Sequence, residues 1–159
     1  MSGILDPRPL ATASVVLGVG MGGFVDGIVL HQILQVHNMV SARLPPESLV
    51  NVEAAMVWDG VFHVVTWAAT GVGVVLLYRA ARRPNAAWSA RLLIGGLLVG
   101  WGLFNLIEGI INHHLLGLHH VVERLGPSIY DVLFLLSGVA LVIAGGIIAR
   151  GKGRKHPPV

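Results

Sequence analysis

Acidic side chains rarely enter long apolar segments, yet Asp26, Asp59, Glu108 and Asp131 each do so, accompanied by His31, His63 and His113. Ionised carboxylates are costly in hydrocarbon and persist there when they face a protein interior, pair, stay protonated or bind a cation. Too few basic residues lie nearby to neutralise all of them, so protonation or bound metal must balance the charge. The histidines favour metal, because neutral imidazole is a common ligand and carboxylate–imidazole pairs recur around metal ions. Dinuclear carboxylate bundles use these same side chains, projecting inward from four helices. Cysteine is absent, which excludes thiolate metal sites, disulfides and cysteine nucleophiles.

Spacing refines the set. Asp59 and His63 are four residues apart and share a helix face. Asp26 and His31 are five apart, about 140° around an ideal α-helix, so both face inward only across a wide polar face or through a local distortion. Gly27 and Gly109, which follow the two acids at matching positions, would permit that distortion. On a continuous helix His37 lies about 16 Å beyond Asp26, too far to share one ion. The expectation is an inner metal site of Asp26, Asp59, Glu108 and Asp131 with His31, His63, His113 and His114. A second cluster of His37, His119 and His120 would lie near the mouth, as a way in or a second site.

Each residue also has a plainer reading. The acids would serve interhelical hydrogen bonding, or for Asp131 the charge of a helix N-terminus. His37, His119 and His120 would be solvated at the interface, and His114, offset about 100° from His113, would face lipid or another helix. Asn105, Asn112, Gln32 and Gln35 read as supporting donors, and Trp67 and Trp101 as core.

An internal repeat organises these residues. The run from Asp26 to Asn38 aligns without gaps on that from Glu108 to His120, sharing the pattern acid-Gly-Ile-x-x-His-x-x-Leu-x-x-His. Trp58-Asp59 likewise matches Tyr130-Asp131, and Arg79 and Arg150 close the corresponding segments. The reading is a helical hairpin duplicated in tandem in the same orientation, with repeats at about 10–83 and 89–151 of a single transmembrane domain and a basic tail at 152–159. Sites in such architectures lie at the repeat interface.

The elements that must position the site follow from composition. Of 159 residues, 54% are apolar and 12% charged, too few charges to cover a water-facing surface. Apolar segments at about 10–36, 54–78, 92–118 and 128–149 are each long enough to span a bilayer as a helix. The first is too long for a signal peptide and lacks a small-residue cleavage site. Nine of the eleven basic residues fall on one side of these spans, with Arg43 and Arg124 on the other. The positive-inside rule then makes both termini cytoplasmic and puts the acids and seven of the eight histidines, all but His156, toward the outside. The same bias explains the basic character without nucleic acid. Trp58 and Tyr130 at one level, with Tyr78 and Trp88 at the other, fit interfacial belts. Gly18, Gly22, Gly23, Gly27, Gly96 and Gly100 allow close helix packing or homo-oligomers. Gly18, Gly20 and Gly23 match a dinucleotide fingerprint, but no strand precedes them and that reading is rejected.

The segments Gly23 to Gln32, Trp58 to His63 and Phe104 to Gly109 through His120 resemble a bacterial family of predicted four-helix membrane proteins labelled only as a domain of unknown function. The resemblance spans nearly the whole chain and implies the four-span fold. It implies no reaction. The histidine spacing differs from the three-box pattern of membrane desaturases and alkane hydroxylases.

The sequence therefore predicts an all-α, four-helix bundle in the bilayer of a bacterial inner membrane, holding metal in its outer half. Oxygen and nitrogen donors suit Fe, Zn or Mn better than Cu. A metal-dependent oxidoreductase leads, with metal-activated hydrolysis behind it. Alternatives are a metal-delivery or assembly factor for a respiratory membrane complex, a proton or ion carrier, and a haem-binding protein.

Overall fold

The structure, a computed structural model, describes residues 5–151; the basic tail, with Lys152, Arg154, Lys155 and His156, lies outside the described residues. Four helices long and apolar enough to cross a membrane make up the chain. They are α1 (Arg8–Val25), α2 (Leu49–Ala81), α3 (Ala90–Glu108) and α4 (Ile129–Arg150). Helices α1 and α3 each run on without a break into a π-helical extension, Asp26–Ile33 and Gly109–Leu115. No strand is present among the described residues.

Local chemistry sets the boundaries. Pro7 precedes α1, where a missing N–H costs nothing. Ser48 Oγ accepts from Asn51 N at 3.2 Å to cap α2, and Ser89 Oγ accepts from Leu92 N at 3.4 Å to cap α3. At α4 the Ser128 N–H donates to Asp131 Oδ2 at 2.9 Å, half of a capping box. Asp131 thus has the helix-terminal role that its position suggested.

Helix α2 packs on α1, α4 packs on α3, and α1 packs on α3, so α1 and α3 form the middle of the bundle. Glycine makes that middle possible. A Cβ on Gly18 would collide with the Leu97 carbonyl, and one on Gly100 with the Val15 carbonyl. These two contacts are one contact seen twice, since adding 82 to Gly18 gives Gly100 and adding 82 to Val15 gives Leu97. The halves are therefore related by a local twofold running along the parallel pair α1 and α3.

The outer faces carry Val64, Trp67 and Ile147 at 63%, 69% and 68% exposure, an apolar surface suited to lipid. The chain is a multi-pass membrane protein. Trp67, expected in the core, faces outward instead, because α2 has a single packing partner and presents most of its circumference to the bilayer. Trp101 lies against Gly22 between the central helices, as expected. At one end of the bundle Asp6 N–H donates to Asn85 O at 2.8 Å, and Arg91 lies against Gly151. The described ends of the chain and the α2–α3 turn thus share that end. The polar residues gather at the other.

Candidate functional site

The π-helical extensions bring the first pairs together. Bonds of the i→i+5 type, such as Leu34 N to Val29 O and Leu116 N to Ile111 O at 2.8 Å each, set residues five apart nearly one above another. His31 Nε2 consequently lies 3.3 Å from Asp26 Oδ2, and His113 Nε2 lies 3.0 Å from Glu108 Oε2. On an α-helix these pairs would point about 140° apart. A Cβ added at Gly27 would lie 2.8 Å from His63 Nε2, and one at Gly109 2.8 Å from Leu135 Cδ2, so a side chain at either position would require that neighbour to shift.

Beyond the π segments the chain reverses. Gln35 and Gly117, equivalent in the two halves, adopt φ of 49° and 52°, and Val36 N and Leu118 N then bond back to Leu30 O and Asn112 O. The turn carries His37 and His119 back over the cluster, with ring centroids 4.4 Å from His31 and 4.7 Å from His113 respectively. A continuous helix would have separated them, so the expected outer group of His37 and His119 joins the inner one. Their own rings stack at 4.5 Å, 14° from parallel, across the twofold.

Each of these two rings is braced by the opposite half. His37 Nδ1 donates to Val121 O and His119 Nδ1 donates to Met39 O, both at 3.0 Å. A carbonyl can only accept, so both rings carry a proton on Nδ1, and a neutral His37 then has its lone pair on Nε2. Burial, together with His119 and His31 alongside, pushes the His37 imidazole down to about 3, so it stays neutral. His119 Nε2 lies 2.9 Å from Glu108 Oε1.

The remaining carboxylates anchor the walls. Asp59 accepts from Met39 N at 2.8 Å, Asn38 Nδ2 at 2.7 Å, and His31 Nδ1 at 3.1 Å. Asp131 accepts from Val121 N at 2.9 Å, with His113 Nδ1 at 3.1 Å. Met39 and Val121 are again equivalent, so one backbone unit in each half both donates to its own carboxylate and accepts from the other half's histidine.

At the centre, Asp26 Oδ2, His31 Nε2, His37 Nε2, Glu108 Oε2 and His119 Nε2 are buried and have no hydrogen-bond partner. The nitrogens of His31, His37 and His119 lie within 4.8 Å of one another, as do ligand atoms of Glu108, His113 and His119. The structure brings together Asp26, His31, His37, Asp59, Glu108, His113, His119 and Asp131. It leaves three histidines outside the central group. His63 bonds through Nδ1 to Asp59 O at 2.7 Å and packs on Gly27 and Phe62; its place in the second half is taken by Leu135. His114 is exposed and bonds to Gly109 O at 2.7 Å. His120 is half-buried, 3.6 Å from Asp131 Oδ2.

Nothing in the sequence singles out Glu123, yet it ties the two loops together. Its Oε2 accepts from Ser41 Oγ at 2.9 Å and from His120 N at 3.1 Å. A loop carboxylate with ordinary spacing gives no sign of this role. Two apolar crevices of about 200 and 170 Å³ reach the cluster from the flanks, one bounded by Phe62, Phe104 and Glu108 and the other by Trp101, Phe134 and Asp26.

A four-helix, multi-pass membrane protein with a twofold histidine–carboxylate cluster is the class that fold and site define. The chain belongs to the family described as "Predicted membrane protein (DUF2243)", which matches residues 13–152. It is also 29% identical over 121 residues to a lipoprotein signal peptidase of Leifsonia xyli subsp. xyli (strain CTCB07). That alignment takes in 75% of this chain and 50% of the relative, so the chain spans about half the length of the curated relative it matches. No solved structure matches the chain.

Proposed function

We propose that this protein is an integral-membrane metalloprotein whose cluster holds two transition-metal ions and performs redox chemistry on a membrane-dissolved substrate. One observation carries the reading. His37 turns a lone-pair Nε2, and His119 an Nε2 that lies 2.9 Å from Glu108 Oε1, into a buried space shared with His31 and Asp26. Lone pairs and carboxylate oxygens this close repel one another unless protons or a metal cation lie among them. On this reading each half would hold one ion, with Glu108, His113 and His119 around the second and, by analogy through the twofold, Asp26, His31 and His37 around the first. Asp59 and Asp131 orient the two π-helix histidines from behind, as carboxylates do behind metal-bound imidazole. Nitrogen and oxygen donors suit Fe or Mn, with Zn as the redox-silent case. The flanking apolar crevices fit a substrate dissolved in the bilayer, and the basic bias of the opposite end fits a bacterial inner membrane with the cluster in its outer half.

Elemental analysis of protein purified in mild detergent tests this. We expect close to two ions per chain, reduced to one or none in His119→Ala and His37→Ala. A folded, metal-free preparation that takes up no added metal would leave imidazolium–carboxylate pairing as the whole explanation and end the proposal. An absorption spectrum before and after dithionite separates redox-active metal from zinc, and a Soret band would reveal haem. Metal-activated hydrolysis is the second reading, favoured by the similarity to a protein named as a lipoprotein signal peptidase. It gains if the bound metal is zinc.

A further inference from the structure

The two halves differ beside Asp59 and Asp131, and the difference bears on access to the cluster. In the second half a cleft of about 620 Å³ is lined by His113, His114, His120, Asp131, Ile129 and Val132, among others. In the first half two amides stand at the equivalent positions. Asn38 stands where the repeat has His120, and Gln32 where it has His114; both amides donate to Asp59 Oδ2, at 2.7 and 3.4 Å. Helix α2 also begins at Leu49, ten residues before Asp59, whereas α4 begins at Ile129, two before Asp131. The second carboxylate therefore lies at the start of its helix, where the cleft is.

The lining of the cleft selects for charge. It carries three imidazoles and a carboxylate, and neither Lys nor Arg is among its lining residues. His114 bonds through Nδ1 to Gly109 O, which leaves its Nε2 lone pair available. His120 Nδ1 has no hydrogen-bond partner. His113, 1% exposed, presents its Nδ1 to Asp131 Oδ1 at 3.1 Å. Lone pairs and negative charge attract a cation and repel an anion. Because His113 belongs to both the cleft wall and the central cluster, the cleft leads directly to it.

We propose that this cleft is the inlet by which a divalent transition-metal cation reaches the buried cluster from the aqueous face, passed inward by His114 and His120. The inference rests on the metal reading above and adds the route, its direction and its restriction to one half. Intermediate ligands shorten the step between a hydrated ion and a buried site, which otherwise must shed its water at once.

Loading kinetics test it, with Co²⁺ as the probe. Chelator-stripped protein in detergent is mixed with Co²⁺, uptake is followed by the d–d absorption of the bound ion, and final content is measured by elemental analysis. Ile129→Trp, which fills the cleft from an exposed position, is expected to slow loading at least tenfold while reaching the wild-type content. The double variant His114→Gln, His120→Asn is expected to slow it comparably. Ile107→Trp, which plugs the apolar crevice at Glu108, is expected to load at the wild-type rate. Wild-type rates in both Ile129→Trp and the double histidine variant would overturn the route while leaving the metal centre standing, as would slowing by Ile107→Trp alone. A wild-type chain that takes up no Co²⁺ overturns the metal reading, and the route with it.

Discussion

His37 is kept neutral by burial and by the neighbouring His119 and His31, which push its imidazole from 6.5 down to about 3. The unfolded chain binds that proton near 6.5, so between these two values the unfolded state holds more protons than the folded one. His37 therefore costs no stability above pH 6.5 and costs progressively more as pH falls toward 3. Metal-free wild type should lose stability relative to His37→Phe by up to about 1.4 kcal/mol per pH unit below 6.5, with a constant difference above it. Chemical unfolding of both proteins at pH 4, 5, 6 and 7.5 checks this, and a difference that does not change with pH contradicts the neutral assignment. At this scale the sequence was legible where side chains were out of place. Asp26, Asp59, Glu108 and Asp131 announced themselves because acids are expensive in apolar runs. The return of His37 was hidden because it depends on Gln35 adopting φ of 49°, which that residue type does not signal. The bracing carbonyls of Met39 and Val121 belong to the backbone, which has no identity to read.

At the scale of elements, the π-helical extensions decide which side chains meet. The five-residue spacing of Asp26 and His31, repeated in Glu108 and His113, called for either a wide polar face or a local distortion, and the structure has the distortion, an i→i+5 helix. The helices themselves were readable from length and apolar content, although α2, at 33 residues, is about 50 Å long and overruns the bilayer core. The close approach of α1 and α3 was readable from glycine spacing, but its partners were not. Gly100→Ala would drive a Cβ into the Val15 carbonyl, backbone that cannot turn aside. The expected cost is about 1–3 kcal/mol by unfolding in mixed micelles. Gly60→Ala, where a Cβ meets nothing within 4 Å, should be neutral or slightly stabilising. Equal effects at the two positions would mean that the central pair is not packed this tightly.

For the molecule as a whole, the charge bias predicts which way the cluster faces. The chain has no cysteine, so single substitutions report topology without background. Glu47→Cys, in the loop beside the cluster, should react with a membrane-impermeant maleimide added to intact spheroplasts. Arg83→Cys, in the α2–α3 turn, should react only after permeabilisation. The reverse pattern would put the cluster on the cytoplasmic side. The fold's overall order was available from four apolar segments and one repeat, while the packing order of the helices required the structure.

The exchange of bonds between His37 and Val121, and between His119 and Met39, also has a consequence for biosynthesis. Neither hairpin owns a finished cluster, because each histidine is steered by a carbonyl that the other hairpin supplies. During translation the first hairpin must wait in the bilayer with His37 unbraced until the second has been inserted and turned. Covalent linkage keeps that wait short, since the missing half arrives on the same chain at high effective concentration. Completion of the cluster thus registers that both hairpins are in place and facing the same way.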